Sequence, residues 1–166
     1  MQKVELRALE PEDLGLLYLW ENDKDLWYAS DTITPLSRYN LREFLLKSHL
    51  DIYAARQVKL LAEIDGSPVG FIDLFDFDPH NLRISIGILV FEKRGCGIGT
   101  AMLDAAIDYA FRFLGVHQLN AIVGEHNIPS IKLFRKKGFT ECGLKKEWMK
   151  RGNSWENVIE FQLLNR

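Results

Sequence analysis

A glycine-rich segment that links an apolar strand pattern to a helix pattern constrains the fold more than any other feature of the sequence. Residues 82–90 carry isoleucines at every second position, as a half-buried strand does, and the segment RGCGIG follows at residues 94–99. Apolar residues then recur at helical spacing until Gly115, which is suited to end a helix. A strand that enters a helix through such a loop predicts a layered α/β fold, with helices packed on a sheet.

The other patterns alternate between helix and strand along the chain. Asp65-Gly66 predicts a hairpin turn, and an acidic loop is predicted at residues 76–81. Strand patterns lie at residues 4–6, 59–64, 69–75, 82–90, 119–123, 139–150 and 155–163. Helices are predicted to begin near Pro11, Ser37, Gly97 and Asn127. Two hairpins among interleaved helices predict a central mixed sheet with helices on both faces, in one domain of 166 residues.

Composition excludes several classes of protein. The chain is 47% hydrophobic and 27% charged with a net charge of -2, and so lacks the basic excess of a nucleic-acid binder. No apolar run approaches the ~20 residues of a membrane span, and the first residues show no targeting segment. The two cysteines, Cys96 and Cys142, form no disulfide framework. We therefore expect a cytoplasmic protein with no nucleic-acid or membrane partner.

The glycine-rich loop has the chemistry of a phosphate site. Glycines allow close approach of the backbone, and unpaired N–H groups at a helix start attract anions. The P-loop pattern is excluded because Gly99-Thr100 lacks the lysine, and the dinucleotide pattern is excluded because its third glycine is missing. A flexible strand-to-helix turn without a ligand is the alternative at this loop.

Three segments, in order, resemble the GCN5-related N-acetyltransferase (GNAT) family. Residues 94–99 match the family signature Arg/Gln-x-x-Gly-x-Gly/Ala, and residues 127–139, NIPSIKLFRKKGF, resemble its second conserved segment. Residues 6–14, LRALEPEDL, resemble the opening of the subgroup that contains spermidine acetyltransferases and ribosomal-protein N-terminal acetyltransferases. The resemblance covers nearly the whole chain. It implies a single N-acetyltransferase domain with a splayed strand pair in its sheet and acetyl-CoA as co-substrate.

The resemblance also implies which residues bind acetyl-CoA. Loop amides and the Arg94 side chain would anchor the pyrophosphate, and the backbone of the preceding strand would pair with the pantetheine arm and polarise the thioester carbonyl. The implied set is Leu89, Val90, Arg94, Gly95, Cys96, Gly97, Ile98, Gly99, Thr100, Asn127 and Ser130. For Asn127 and Ser130, helix capping is an equal alternative.

The family reaction, attack of a primary amine on the thioester, needs a proton acceptor and a proton donor. The family commonly places a tyrosine acid where this chain has Phe134, so that role passes to water, to another side chain or to no group. Asp73 lies by register where spermidine acetyltransferases carry an acid near the amine, although a solvated, outward-facing aspartate is the alternative. Glu125 and His126 could line the same cleft, although solvated loop residues beside a helix cap are the alternative. The candidate catalytic residues are Asp73, Asn127 and Glu21.

We expect transfer of an acetyl group from acetyl-CoA to a primary amine, with a polyamine such as spermidine as the leading substrate, because the acidic stretch that begins at Asp73 attracts cations. A protein N-terminus of the ribosomal-protein type, another small amine and a non-catalytic acyl-CoA-binding module are the alternatives. No histidine pairs with cysteine or carboxylate at ligand spacing, so no metal is expected. The family implies a homo-oligomer, a dimer or larger. Trp148, Trp155 and Phe161 form either a dimer surface or the core of the last hairpin, and we expect the core.

Overall fold

A seven-stranded mixed sheet forms the centre of the computed structural model, which describes residues 3–27, 32–48, 50–92 and 95–166. Its strands are β1 (Glu5–Ala8), β2 (Val58–Ile64), β3 (Ser67–Asp78), β4 (Arg83–Val90), β5 (Gln118–Gly124), β6 (Thr140–Arg151) and β7 (Ser154–Leu164). Its helices are α1 (Leu14–Glu21), α2 (Arg38–Lys47), α3 (Ile52–Ala55), α4 (Ile98–Asp108) and α5 (Ile128–Lys136). The strand order is β1-β2-β3-β4-β5-β7-β6. The expected mixed α/β sheet is confirmed, and the patterns predict each of these elements except the short α3.

The neighbours β4 and β5 run parallel and stay paired over a short distance. Residues 83–85 of β4 pair with residues 118–120 of β5, and within the described residues the ladder goes no further. Beyond it, β4 continues along β3, and β5 continues along β7. The facing edges, residues 86–90 and 121–124, form a gap that we call the wedge, which opens toward the carboxyl ends of both strands. The expected splayed strand pair is therefore present.

Helices pack on both faces of the sheet, and each face has its own core. On the first face, α4 and α5 cover strands from β2 to β7. Its central residues include Ile72, Ile84, Ile86, Met102, Leu103, Leu119, Phe134 and Phe161. On the second face, α1 and α2 cover the strands at the β1 side. The residues buried there are Leu9, Leu17, Trp20, Leu41, Leu61 and Phe71. Because side chains alternate along a strand, one strand supplies both cores, as β3 does with Phe71 and Ile72.

The segment expected to be an acidic loop, residues 76–81, begins inside a strand. β3 runs to Asp78, beyond the predicted end at residue 75. The register with β4 shifts between Phe75 and Asp78, and Asp76 has a φ of 53°, which marks a bulge. The acidic residues hide this part of the strand from a hydrophobicity pattern, because they interrupt the apolar alternation.

The expected burial of the two late tryptophans is wrong. Trp148 is 57% exposed and Trp155 is 59% exposed, whereas Phe161 is 1% exposed and belongs to the first core. The hairpin of β6 and β7 lies at the edge of the sheet, and both tryptophan side chains are exposed to solvent there.

Gly70→Ala is expected to destabilise the protein. Gly70 lies opposite Val90 at the wedge end of the β3–β4 ladder, and an added Cβ would overlap the Leu89 carbonyl oxygen and come 2.7 Å from Met102 Cε. Overpacking of this kind costs about 1–3 kcal/mol. Gly15→Ala is the matched control, because an added Cβ in α1 meets nothing within 4 Å and alanine favours a helix by roughly 0.5–1 kcal/mol. Urea unfolding measures the free energy of unfolding of both variants. A G70A variant as stable as G15A would contradict the packing described.

Candidate active site

The glycine-rich loop places the start of a helix at the open end of the wedge. Gly95 and Gly97 have φ angles of 81° and 82°, which side chains rarely adopt, and a Cβ at either residue would meet nothing within 4 Å. Gly97 is the N-cap of α4 without a side-chain cap, and the Ala101 N–H makes a helix bond to the Gly97 carbonyl at 3.1 Å. The N–H groups of residues 98–100 precede that bond, so they form the open end of a helix dipole, where anions bind. Arg94 lies outside the described residues.

Packing behind the loop helps to hold it in place. The Ile98 side chain is 3% exposed and belongs to the first core, so this residue offers a ligand its backbone alone. A Cβ at Gly99 would lie 3.4 Å from Leu133 and 3.5 Å from Val90, which shows how closely α4 approaches α5 and β4. Thr100 is in the first turn of α4, and the Cys96 side chain is exposed.

The wedge offers peptide groups to a chain-like ligand. Leu89 and Val90 lie at the end of β4, where the strand has β3 on one side and the gap on the other. An extended arm with amide groups, such as pantetheine, can pair with a strand edge of this kind. The glycine loop, which can hold the phosphates, and the edge of β4, which can pair with the arm, lie at the same end of the sheet. The residues present therefore fit acetyl-CoA, which would supply the activated acetyl group.

The second conserved segment forms α5, and the side chain of Asn127 caps this helix. Asn127 is the N-cap, and its side-chain oxygen accepts a hydrogen bond from the Ser130 N–H at 3.2 Å. Phe134 is 5% exposed, and its ring centroid lies 4.9 Å from that of Phe139 and 5.8 Å from that of Phe161. Phe134 is thus an apolar core residue with no proton to donate.

Two of the three candidate catalytic residues, Glu21 and Asp73, form ion pairs with the same lysine, Lys59, which the sequence patterns did not indicate. Lys59 Nζ lies 2.5 Å from Glu21 Oε1 and 3.2 Å from Asp73 Oδ2. The Lys59 and Glu21 side chains are 15% and 12% exposed, whereas that of Asp73 is 41% exposed. Burial lowers the pKa of Lys59, but Asp73 and Glu21 outweigh it and hold the pKa above its ordinary value. Loss of solvent raises the pKa of Asp73, and Lys59 opposes the rise. We call these three residues the triad.

The residue of β4 that faces Asp73 is a glycine and has no side chain. Asp73 faces Gly87 across the β3–β4 ladder. A Cβ at Gly87 would lie 3.7 Å from Phe75 Cε1 and 3.8 Å from Asp73 Cβ, so glycine leaves room beside the base of the Asp73 side chain. Trp20 of α1 stacks on Phe91 with ring centroids 4.1 Å apart, which ties the helix that ends at Glu21 to the chain beyond β4.

The turn between β5 and α5 is fixed by two carboxylates. Glu156 on β7 is 8% exposed, and its Oε1 lies 3.0 Å from His126 N and 3.1 Å from His126 Nδ1. Arg151 Nε donates to the other oxygen of Glu156 at 2.9 Å. Burial raises the pKa of Glu156, but the hydrogen bonds from Arg151 and His126 outweigh it and hold the pKa below its ordinary value. Glu125 in turn accepts a hydrogen bond from Asn157 Nδ2 at 3.0 Å.

Lys59 and Glu156 do leave a signal in the sequence. Each is a charged residue within an otherwise apolar or alternating strand, VKLLAEI for β2 and SWENVIEFQLL for β7. A buried charge needs a partner, so such a residue predicts an ion pair. The pattern does not say which partner it has, because Glu21 is 38 residues from Lys59, and His126 is 30 residues from Glu156.

The fold and the loop geometry agree with the family to which the chain belongs. Residues 3–140 match the family described as "Acetyltransferase (GNAT) domain", so this protein is a member of the GNAT family. Its reaction is the transfer of an acetyl group from acetyl-CoA to an amine. The resemblance of the glycine loop and of the second segment is thereby confirmed.

Individual relatives share most of the chain. The SPbeta prophage-derived uncharacterized N-acetyltransferase YokL of Bacillus subtilis is 30% identical over 170 residues, which cover 98% of this chain and 94% of that protein. The spermidine N(1)-acetyltransferase of Escherichia coli K12 is 28% identical over 144 residues, which cover 84% of this chain and 74% of that protein. The crystal structure of spermidine N-acetyltransferase from Vibrio cholerae with CoA and spermine has a TM-score of 0.89 at 21% identity, covering 98% of this chain and 95% of that one.

The described residues contain neither a helix suited to span a membrane nor a cluster suited to hold a metal ion. None of the helices there has both the length and the hydrophobicity that crossing a bilayer requires. In the same residues, no three His, Cys, Asp or Glu side chains group closely enough to hold a metal ion.

Replacing Lys59 with methionine is expected to make stability depend on pH. Without the ammonium group, Glu21 and Asp73 repel each other and Lys59 no longer opposes the effect of burial, so the folded-state pKa of Asp73 rises further above its ordinary value. A raised folded-state pKa gives stability that is present at low pH and lost as pH rises. The free energy of unfolding of K59M is therefore expected to be close to that of the wild type near pH 4. Near pH 8 it is expected to be lower by about 2–4 kcal/mol, a range reduced for the partial exposure of Asp73.

Lys3→Met is the matched control, because the Lys3–Glu5 ion pair has side chains 86% and 70% exposed. Thermal and urea unfolding between pH 4 and pH 8 give the comparison. A K59M deficit that stays constant with pH would contradict the electrostatic coupling in the triad.

Proposed function

We propose that this protein acetylates a linear polyamine, with spermidine as the representative substrate. The observation that supports this most is the triad, in which two carboxylates are already arranged around one ammonium group. Asp73 is the most exposed of the three, and the space beside Gly87 lets a second ammonium group approach it. The relatives named spermidine N-acetyltransferase agree with this substrate class.

The acidic stretch contributes less to this site than its composition suggests. Asp78 is engaged by Asn81 and by Arg83, whose Nη2 lies 3.1 Å from Asp78 Oδ2. The hydrogen bonds from Asn81 hold the pKa of Asp78 at about 2. Asp78 therefore shapes its own turn, and Asp73 and Asp76 are the acids in this stretch that we assign to the attraction of a cation.

The remaining site residues divide into two tasks. We assign the backbone of Gly95, Cys96, Gly97, Ile98, Gly99 and Thr100, with Arg94, to the pyrophosphate of acetyl-CoA. We assign the backbone of Leu89 and Val90 to the pantetheine arm and to the thioester carbonyl, and Asn127 with Ser130 to the support of that end of the wedge. Asp73 and Glu21 orient the amine. Phe134 takes no part in proton transfer, so the thiolate would receive its proton from elsewhere.

We also propose a homo-oligomer. One spermidine N-acetyltransferase structure from Vibrio cholerae is dodecameric. In this chain, Trp148 and Trp155 expose large apolar surfaces on the edge hairpin, and a second copy of the chain is a suitable cover for them.

An acceptor panel tests the proposed substrate. Release of CoA thiol from acetyl-CoA is expected with spermidine and spermine, and not with N-terminal peptides or aminoglycosides. Asp73→Asn is expected to raise the KM for spermidine about tenfold, the equivalent of about 1.4 kcal/mol, without changing the Kd for acetyl-CoA. Asp65→Asn is the control, because Asp65 is an exposed acid in the turn at the other end of β3. Turnover of peptides in preference to polyamines would contradict the proposal.

A second prediction concerns the glycine loop. Gly97→Val is expected to abolish binding of acetyl-CoA, because the side chain would project into the open space of the cradle. Gly66→Val is the matched control, since Gly66 has a φ of 74° and also has nothing within 4 Å of an added Cβ. Both variants carry the same backbone strain, so calorimetric titration separates lost binding from lost stability. Equal affinity of the two variants would exclude the loop as the cradle.

A further inference from the structure

Acetylation of an ammonium group needs a proton acceptor, because the amine attacks only when it is neutral. Phe134 cannot exchange a proton, and Glu21 and Asp73 are both paired with Lys59. A carboxylate that holds one ammonium group is suited to bind another, but taking a proton would break its pairing with Lys59. The chain therefore needs a further group near the wedge that can gain a proton without loss of an ion pair.

His126 has the geometry of an oriented base. Its Nδ1 lies 3.1 Å from Glu156 Oε1, and Glu156 is a carboxylate with no proton to donate. Nδ1 therefore carries the hydrogen in the neutral ring, and Nε2 carries the lone pair. The His126 side chain is 80% exposed, whereas that of Glu156 is 8% exposed. One side of the imidazole is thus fixed in the protein and the other is accessible.

The position of His126 follows from the strand register. Residues 83–85 of β4 lie level with residues 118–120 of β5. If that register is continued along the wedge, Leu89 lies level with Gly124, two residues before His126. Glu156 lies on the second face of the sheet, because it is five residues from Phe161, which belongs to the core of the first face, and side chains alternate along a strand. The triad lies on that same second side, together with Phe71.

We propose that His126, oriented by Glu156, is the catalytic residue that accepts the proton of the acceptor amine, directly or through one water molecule. The ammonium group gives one proton to Nε2 and becomes the neutral amine. Its nitrogen then bonds to the carbonyl carbon, and the C–S bond breaks with the electron pair going to sulfur. The second proton of the nitrogen passes to the thiolate, and the proton on His126 returns to water. The inference rests on the acetylation of an amine by this chain and not on which amine is used.

The charges around His126 favour this role. Glu156 from β7 stabilises the imidazolium that forms, and it stays ionised because Arg151 and His126 hold its pKa below the ordinary value. Glu125 on the same turn is engaged by Asn157, and Arg151 is engaged by Glu156. Among the described residues, Glu156 is thus the charged group in direct contact with the ring. A carboxylate that orients an imidazole and balances its charge is an established way of making a base.

The first test is His126→Gln, which leaves the backbone hydrogen bond from residue 126 to Glu156 in place. With the best acceptor of the wild-type panel, kcat is expected to fall about 100-fold, and the decline of kcat/KM at acid pH is expected to disappear. The Kd for acetyl-CoA stays at the wild-type value. His80→Gln is the control, since His80 is exposed in the turn after β3. A wild-type pH profile in H126Q would overturn the proposal.

Two measurements separate catalysis from support of the turn. Added imidazole is expected to restore turnover to His126→Ala, because a free base can replace the missing ring, and to leave the turnover of His80→Ala unchanged. Glu156→Gln is expected to move the acid limb of kcat/KM to lower pH, since the imidazolium loses its counter-charge. If imidazole fails to rescue His126→Ala and the acid limb of kcat/KM does not move in Glu156→Gln, the turn has a structural role alone and the proposal is overturned. A wild-type chain that binds acetyl-CoA and acetylates no amine would refute the proposed function as well. Activity on peptides alone would refute the polyamine as the substrate, and the pH profile would still decide the role of His126.

Discussion

The early separation of two parallel strands is the constraint on which the rest of the structure depends. β4 and β5 pair over residues 83–85 and 118–120 and then part, which would leave backbone groups without partners in an ordinary sheet. The separation is tolerated because each strand has an antiparallel neighbour on its outer side, β3 for one and β7 for the other. The inner edges can then serve a ligand. The same separation brings the glycine loop and the turn before α5 to the ends of two diverging strands, where both face the gap.

Two ion-pair groups lie on one face of the sheet, and we assign each of them a different part of the chemistry. In the triad, Lys59 keeps two carboxylates close together, and the exposed part of Asp73 can interact with a cation. At the turn, Glu156 holds His126 with the opposite arrangement, a buried anion and an exposed base. The first group is suited to binding an ammonium group, and the second to removing its proton. The replacement of the family's tyrosine by Phe134 is compatible with activity in this arrangement, because the core gains an aromatic contact and the proton takes another route.

The extent to which the site could be predicted differs from residue to residue. Gly97 and Asn127 could be placed because their roles are local: a positive φ at a helix start and a side chain that caps its own helix. Asp73 and Glu21 could be named as acids near the amine, but the link between them could not, because Lys59 joins residues from α1, β2 and β3. The tryptophans were misplaced for a related reason. Hydrophobicity predicts burial, but whether a helix covers the last hairpin depends on how the whole sheet is arranged.

The sequence by itself determined most of the elements, their order, the family and the glycine loop that we assign to the co-substrate, because each of these depends on residues close together in the chain. Periodicity, glycine positions and helix caps act over a few residues, so they can be read without coordinates. The tertiary structure decided which charges meet. Lys59 with Glu21, and His126 with Glu156, are brought together by strand order and register, and a sheet with the order β5-β7-β6 has no counterpart in the linear sequence. The family membership identifies acetyl-CoA as the co-substrate, and the packing of distant strands determines which charged groups lie together.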